Sequence, residues 1–455
     1  MKTASSGQGT PPGVLHDPNV MRWLIAYTAS ILGDGVYFIA LGWTANQIAG
    51  PSRVGLVLAV GAIPRAALML IGGVIADRWG PRRIIILSDG ARCIIILTTA
   101  AALALLRPGI WVLVAIALIF GVVDALFMPA VGALPPHITT HDQLARVQGL
   151  RALAIRTGGT VGVPIAGAAM ALHGTPIAFA TAGAMFALSF FLLLSVRVRA
   201  PDHPNVRSDT APTNDSAWVE LTAGLRYAAT HPTVRPLILS GSLGQLGAVA
   251  PLNVGLILLA STHHWGATGV GWTIASFSLG AAVSAIFLSA RGWIPHAGAI
   301  QLATLALGSI GIGLLGLSSQ LPEAIALAAA VGLVAGIFNG LNNALLQTST
   351  DPAFLGRITA VTTLVGLGLA PLTYPLFSTA AVTIGLGPTF LTFAALRLIG
   401  ALIGATSRPG RHAQLPSTTS LHDQPPHSQQ PNSPCLIGRL PTALSPSVVA
   451  ADNQT

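Results

Sequence analysis

Long apolar runs alternate with short polar breaks along most of the chain. The runs cover residues 21–49, 54–75, 84–106, 110–134, 150–172, 176–196, 234–260, 269–288, 297–317, 324–346, 358–381 and 388–405. A helix rising 1.5 Å per residue needs about 20 residues to cross a hydrocarbon layer roughly 30 Å thick. Each run is therefore read as one membrane-spanning helix. Two breaks differ from the rest. Residues 197–216 are polar, rich in Pro, Asp and Asn, and lack a periodic apolar face, so they read as a linker. From Thr406 the chain is Pro, Ser, Gln and His, too polar to bury a core, and disorder is expected. Between linker and seventh run, 218–230 has the pattern of a short amphipathic helix lying on the membrane surface. The organisation expected is a cytoplasmic tail (1–20), a six-helix bundle (21–197), a cytoplasmic linker (198–217), a second six-helix bundle with its leading amphipathic segment (218–405), and a disordered cytoplasmic tail (406–455).

Composition agrees with that pattern. Of 455 residues, 52% are apolar and only 8% charged, and the mean hydropathy is +0.70. A soluble domain needs a charged, mixed surface, so that class is excluded. The first 19 residues have no apolar core, so no cleavable signal is read there. Cys93 and Cys435 are far apart and suggest neither a disulfide nor a metal site. His137 and His141 share a loop without a third ligand. Lys2 is the only lysine, which excludes a nucleotide-binding glycine loop with its following lysine. With no nucleophile–base pair and no metal cluster, an enzyme is not expected, nor is a cofactor.

The net charge of +9 would suggest nucleic acid in a soluble protein. Here the arginines flank spans on one side. With the N-terminus in the cytoplasm, Arg78, Arg82, Arg83, Arg146, Arg197, Arg226, Arg291, Arg357 and Arg408 fall inside, whereas Arg53 and Arg107 fall outside. Positive residues accumulate on the cytoplasmic side. Six spans plus six, both termini inside, preserve this asymmetry, and no nucleic-acid partner is needed.

Between the second and third runs stands Gly73-Val74-Ile75-Ala76-Asp77-Arg78-Trp79-Gly80-Pro81-Arg82-Arg83. This Gly-x-x-Ala-Asp-Arg-x-Gly-x-Arg-Arg pattern resembles the loop signature of major facilitator superfamily transporters. Ser30-Ile31-Leu32-Gly33-Asp34-Gly35, Phe127-Met128-Pro129-Ala130, Leu134-Pro135-Pro136 and Gly356-Arg357-Ile358 resemble segments of its bacterial drug, macrolide and siderophore exporters. Gly158, Gly162, Pro164 and Gly167 partly match an antiporter signature, with Val163 standing where proline is expected. The likeness covers about residues 20–405. It implies an all-α fold of two six-helix bundles, a substrate site at the midplane between them, and no catalytic residues. In such transporters the acid matching Asp77 latches the two halves on the cytoplasmic side, here against the start of span eleven near Gly356. Gly73, Asp77, Arg78, Gly80, Arg82 and Arg83 are therefore the expected gating loop, its arginines touching anionic lipid headgroups. The second half's counterpart, residues 289–293, lacks the acid.

A charge at the bilayer centre costs at least about 2.5–3.5 kcal/mol. Spans one to five nevertheless hold Asp34, Arg65, Asp89, Arg92, Asp124 and Arg156, while the second half holds only Arg397. By helix rise, Asp34 and Arg65 lie roughly 20 Å and 18 Å from the inner ends of their spans, so the two are expected to meet near the midplane. Asp124 and Arg156 sit shallower. By resemblance, spans one and four line the cavity, which makes Asp34 and Asp124 candidate proton carriers, with Arg65 and Arg156 as their partners. A carboxylate between an apolar cavity and an arginine is pulled both ways between charged and neutral forms. The competing reading is a permanent Asp34–Arg65 pair that orders helices. For Arg156, pairing with Asp124 and attraction of an anionic substrate both stay open. Asp89 and Arg92 share a helix face, and span three is peripheral in the family, so they read as a structural pair.

The second half offers amides. Ser242, Gln245 and Asn253 share a face of span seven. Asn339, Asn343 and Gln347 recur every four residues in span ten, with Asn342 adjacent. By resemblance both spans line the cavity, and Gln245, Asn253, Asn339, Asn343 and Gln347 are the expected substrate ligands; interhelical hydrogen bonding is the equally weighted alternative. The function expected is secondary active transport, with proton-coupled efflux of a small amphipathic drug or natural product by a monomer in the inner (plasma) membrane. An uncoupled or symport-type importer of the same fold and a non-transporting scaffold or receptor are the alternatives.

Overall fold

The computed structural model describes residues 17–106, 108–139, 141–198, 214–291 and 294–414. Twelve long helices follow one another: α1 Pro18–Ala49, α2 Pro51–Trp79, α3 Pro81–Leu105, α4 Ile110–Ala133, α5 His141–His173, α6 Thr175–Leu194, α7 Val234–Thr262, α8 Gly266–Arg291, α9 Ala297–Leu315, α10 Leu321–Ser349, α11 Leu355–Thr383 and α12 Leu386–Thr406. Among the described residues there is no strand. Among the described residues, eleven of these hold a stretch long and apolar enough to cross a membrane. The exception is α5, whose first half carries Arg146, Arg151 and Arg156.

Local chemistry sets the turns. Asp17 caps α1 by accepting from the Asn19 N–H at 2.9 Å, with Pro18 opening the helix. The expected loop at 72–83 is shorter than the sequence suggests. α2 runs on to Trp79 and α3 begins at Pro81, so the chain reverses over Gly80 alone, at φ +83°. A side chain at that φ is strained, whereas glycine is not. Gly50, at φ +77°, makes the same one-residue turn before Pro51.

Two helices are irregular where the apolar pattern predicts regular spans. α7 contains a π turn at Pro251–Gly255. α11 contains a π turn at Leu364–Leu369 and a 3-10 turn at Ala370–Leu372. Pro251 and Pro371 lack the N–H that a regular ladder needs, and the backbone re-registers around them.

In the first half α1 packs on α5 and α6, α2 on α4, and α3 on α6. In the second, α8 and α9 pack on α10, and α7 and α9 on α12. The halves meet along α2–α11 and α5–α8. Small residues allow that approach: a methyl on Gly167 would stand 2.9 Å from the Ala267 carbonyl oxygen. Among the described residues, two hydrogen bonds join the halves. Asn46 Nδ2 donates to Ser261 Oγ at 2.8 Å, and the Gly55 N–H donates to Ser378 Oγ at 2.8 Å. Both lie at the Gly50 end, opposite the Gly80 turn.

The amphipathic helix runs from Asn214 to Thr230 and is docked on protein rather than only on a membrane surface. Tyr227 stacks on Phe354 (ring centroids 4.3 Å apart, 8° between planes), and its hydroxyl accepts from the Asp351 N–H at 3.2 Å. The expectation of disorder from Thr406 is corrected for 406–414. Ser407 caps a turn at Arg408–Arg411, and the Ala413 carbonyl accepts from the Gly298 N–H at 3.0 Å, so this stretch satisfies the start of α9. The expected tail 1–16, the linker residues 199–213 and the tail from 415 lie outside the described residues.

Candidate functional site

The charges of the first half converge on one guanidinium. Arg92 of α3 is fully buried. Its Nη1 lies 3.4 Å from Asp89 Oδ1 and 3.8 Å from Asp34 Oδ1, and its Nη2 donates to Asp124 Oδ1. Arg65 of α2 closes the other side of Asp124, with Nε 3.0 Å from Oδ2. The Arg92 guanidinium lies over the Phe127 ring at 3.9 Å, with Phe120 and Phe186 at 5.4 and 5.6 Å. Aromatic faces hold a cation well where water is excluded.

Partners are shared unequally among the three carboxylates. Asp89 accepts from Ser30 Oγ at 3.0 Å and from Ser189 Oγ, besides facing Arg92. Asp124 is bracketed by two guanidinium groups. Asp34 has only the long contact to Arg92, and its buried Oδ1 has no hydrogen-bond partner among the described residues. It is also the least enclosed of the three, with 16% of its side chain exposed against 0% for Asp89 and 2% for Asp124.

Packing explains the pairing and corrects two expectations. Arg65 meets Asp124, not Asp34. α2 and α4 close on each other through Gly61 and Gly121, where a methyl on Gly61 would stand 3.3 Å from the Ala117 carbonyl oxygen, so Arg65 one turn along faces α4. Asp34 lies between Gly33, set against the Phe186 ring, and Gly35, set against Gly158 and Gly162 of α5. It therefore meets Arg92 of α3 rather than Arg65. Nor are Asp89 and Arg92 merely a pair within one helix, because the long arginine reaches from α3 to α1 and α4. Sequence reasoning passed over Ser30, which stands in the Ser-x-x-Gly-Asp stretch, and Ser189, for which an apolar run gives no signal. The Arg156 side chain lies outside the described residues.

Two cavities adjoin at α11, one between the halves and one within the second half. One, of about 210 Å³, is lined by Phe38, Ile39, Leu58, Ala62 and Arg65 from the first half and by Asn253, Gly366, Pro371 and Tyr374 from the second. The other, of about 230 Å³, is lined by Gly241, Ser242 and Gln245 of α7, by Asn339, Asn342 and Asn343 of α10, and by Thr362, Thr363 and Gly366 of α11, among others. Gly366 belongs to both, and both π turns contribute lining residues. Gln245, Asn339 and Asn343 thus share one cavity and Asn253 the other. Gln347 is exposed further along α10, outside either lining. Asn342 belongs with them and was read from sequence only as a neighbour. Arg397 of α12 lies behind α7, buried, with Nη1 donating to the Gly244 carbonyl at 2.6 Å.

Of the expected gating loop, Gly73 and Asp77 lie in the last turns of α2 with side chains outside the described residues. Arg78 and Arg83 are exposed, and Arg82 Nη2 donates to the Leu194 carbonyl at the end of α6 at 2.9 Å. At Gly356, the expected partner of the latch, an added methyl would meet open space.

Two bundles of six helices, with a cluster of buried charges in the first, a cavity between them and an amide-lined cavity in the second, define a polytopic membrane transporter fold. The family model of the Major Facilitator Superfamily matches residues 23–375, and the chain belongs to that superfamily. It is similar to the enterobactin exporter EntS of Shigella boydii serotype 18, 26% identical over 295 residues, covering 65% of this chain and 68% of that one. EntS of Escherichia coli O139:H28 matches over the same span at 25%. Among solved structures, the fold resembles a bacterial homologue of the human lysosomal transporter Spinster in an inward-facing, unoccupied conformation (TM-score 0.66, 13% identity, 89% of this chain and 98% of that one). It also resembles a D-xylose–proton symporter (TM-score 0.63, 14% identity, 88% and 98%).

Proposed function

We propose that the chain is a proton-coupled exporter of a small amphipathic molecule, working by alternating access from the inner membrane with both termini in the cytoplasm. The observation that carries this reading is the arithmetic of the buried cluster. Three carboxylates (Asp34, Asp89, Asp124) face two guanidinium groups (Arg65, Arg92), so one negative charge is unmatched among the described side chains. An unmatched charge in a dry interior is costly, and one proton removes it. Asp34 has the weakest set of partners and the greatest exposure of the three, so it is the group proposed to take and release that proton. Asp124, Arg65 and Arg156 tune it. The export direction and the natural-product class are supported by the name of the relatives, and the cavities supply apolar walls with amide groups among them. With the Gly80 end in the cytoplasm, the hydrogen bonds at the Gly50 end make this an inward-open state; Asp77 and its arginines act when that opening closes.

The test uses the full chain in proteoliposomes. An outwardly buffered pH gradient drives uptake or release of a fluorescent amphipathic dye, and the change of internal pH is followed alongside. The wild type is expected to move dye and protons together, and Asp34→Asn to move dye without a pH response. PH-driven dye movement unchanged in Asp34→Asn sinks the assignment of the coupling group.

A further inference from the structure

Hydrogen bonding behind the amide-lined cavity has a direction. Ser240 Oγ donates to the Leu237 carbonyl at 3.1 Å, so its oxygen is left as an acceptor. Gln301, fully buried on α9, gives one Nε2 hydrogen to that oxygen at 3.4 Å and the other to Asn342 Oδ1 at 3.1 Å. The reverse orientation of Gln301 would turn its carbonyl oxygen toward Ser240 Oγ, whose hydrogen is already given to Leu237, and leave its NH2 in a buried position without an acceptor. The observed one leaves only its carbonyl oxygen without a partner, the less costly choice. Asn342 is thereby held with its oxygen turned inward. Its Nδ2 lies beside Gly241 on the cavity wall, where an added methyl would stand 2.9 Å from it, and donates to no described residue.

We infer that Asn342 is a fixed hydrogen-bond donor of the substrate site, that Gln301 is its positioning residue, and that the cavity selects ligands presenting an acceptor oxygen, such as an ester, amide or ketone carbonyl. This rests on the cavity's being the substrate site, as proposed above. A backbone carbonyl sets the polarity, Ser240 and Gln301 relay it, and Asn342 displays it. The other amides on the wall, Asn339, Asn343 and Gln245, have no such relay among the described residues and turn to suit the ligand.

The test is equilibrium binding of two probes of similar size to the full chain in lipid nanodiscs, with empty nanodiscs subtracted. 2-Acetylnaphthalene only accepts a hydrogen bond; carbazole only donates one. The readout is the ratio of their affinities, which a general loss of packing leaves alone. The wild type is expected to favour the ketone. Gln301→Leu, which frees Asn342 to turn, Asn342→Asp, which removes the donor, and Gly241→Ala, which crowds it with a methyl, are each expected to cut that preference about five-fold, the size of one net hydrogen bond. A ratio unmoved in variants that keep the wild-type melting point overturns the inference, as does a wild type that prefers carbazole or binds neither probe. The pH-gradient assay separates the two readings: a shifted ratio alongside absent proton coupling leaves the donor in place and removes only the coupling.

Discussion

Arg92→Leu is the most direct perturbation of the buried cluster. The substitution keeps an apolar side chain under Phe127 but strips the cation from Asp34, Asp89 and Asp124. Asp89 and Asp124 are all but sealed, at 0% and 2% exposure, so water cannot replace the lost partner. Removing one member of a buried pair costs about 3–5 kcal/mol, because the other charge is left stranded. At ~2.1 cal/mol/K of unfolding entropy per residue over about 400 folded residues, each kcal/mol moves the midpoint by ~1.2 °C, so the melting point should fall by about 4–6 °C. Thermal unfolding of purified protein in detergent, followed by near-UV circular dichroism, reads this. The companion is Arg92→Leu with Asp89→Asn. Taking away a stranded carboxylate should return part of the loss, as a coupling of about 1–3 kcal/mol between the two positions. An Arg92→Leu protein that melts with the wild type, or losses that simply add in the double variant, refutes the hub.

Two further outcomes follow from close backbone approaches. Gly55→Val puts side-chain atoms against the Tyr374 carbonyl and Ser378 Oγ, so the Gly50 end should no longer close. In a background lacking Cys93 and Cys435, the pair Asn46→Cys and Ser261→Cys should oxidise readily in otherwise native protein and about ten-fold more slowly with Gly55→Val; equal rates would show that this end closes elsewhere. Gly80→Ala forces a β-carbon into φ +83° and should cost about 1–3 kcal/mol, read as a lower melting point, with no loss expected from packing because nothing lies within 4 Å of the new methyl.

The fold was largely legible because lipid imposes one length on every span, and apolar runs report that length directly. α5 is the least apolar of the long helices because Arg146, Arg151 and Arg156 stand in its first half. The site was legible in part. Helix rise gives the height of a residue in the membrane but not the direction in which it faces. Asp34 and Arg65 do join one cluster, yet Gly61 and Gly121 rotate the choice of partner by drawing α2 onto α4, while Gly33 and Gly35 seat α1 elsewhere. Arg92 was undervalued because its helix is peripheral, although an arginine side chain spans the distance its backbone does not. The π turns leave no periodic trace over so few residues; Pro251 and Pro371 were their only mark.

Charge and compliance are divided between the halves. The first half fixes its ionisable groups with aromatic rings, serine hydroxyls and glycine contacts. The second places amides beside two helices whose ladders are already broken. Arg65 belongs to both arrangements: its Nε meets Asp124 inside the cluster, while its side chain, 25% exposed, joins Asn253 and Tyr374 on a cavity wall. Under the transport reading, a proton that arrives at the cluster changes how strongly Asp124 holds Arg65, and so changes the wall that faces the ligand. The π turns at Pro251–Gly255 and Leu364–Leu369 lie on the opposite wall, where helices with missing ladder bonds can re-register at less cost than regular ones. Coupling of this kind needs no long pathway, because the residue that senses the cluster is already in the cavity.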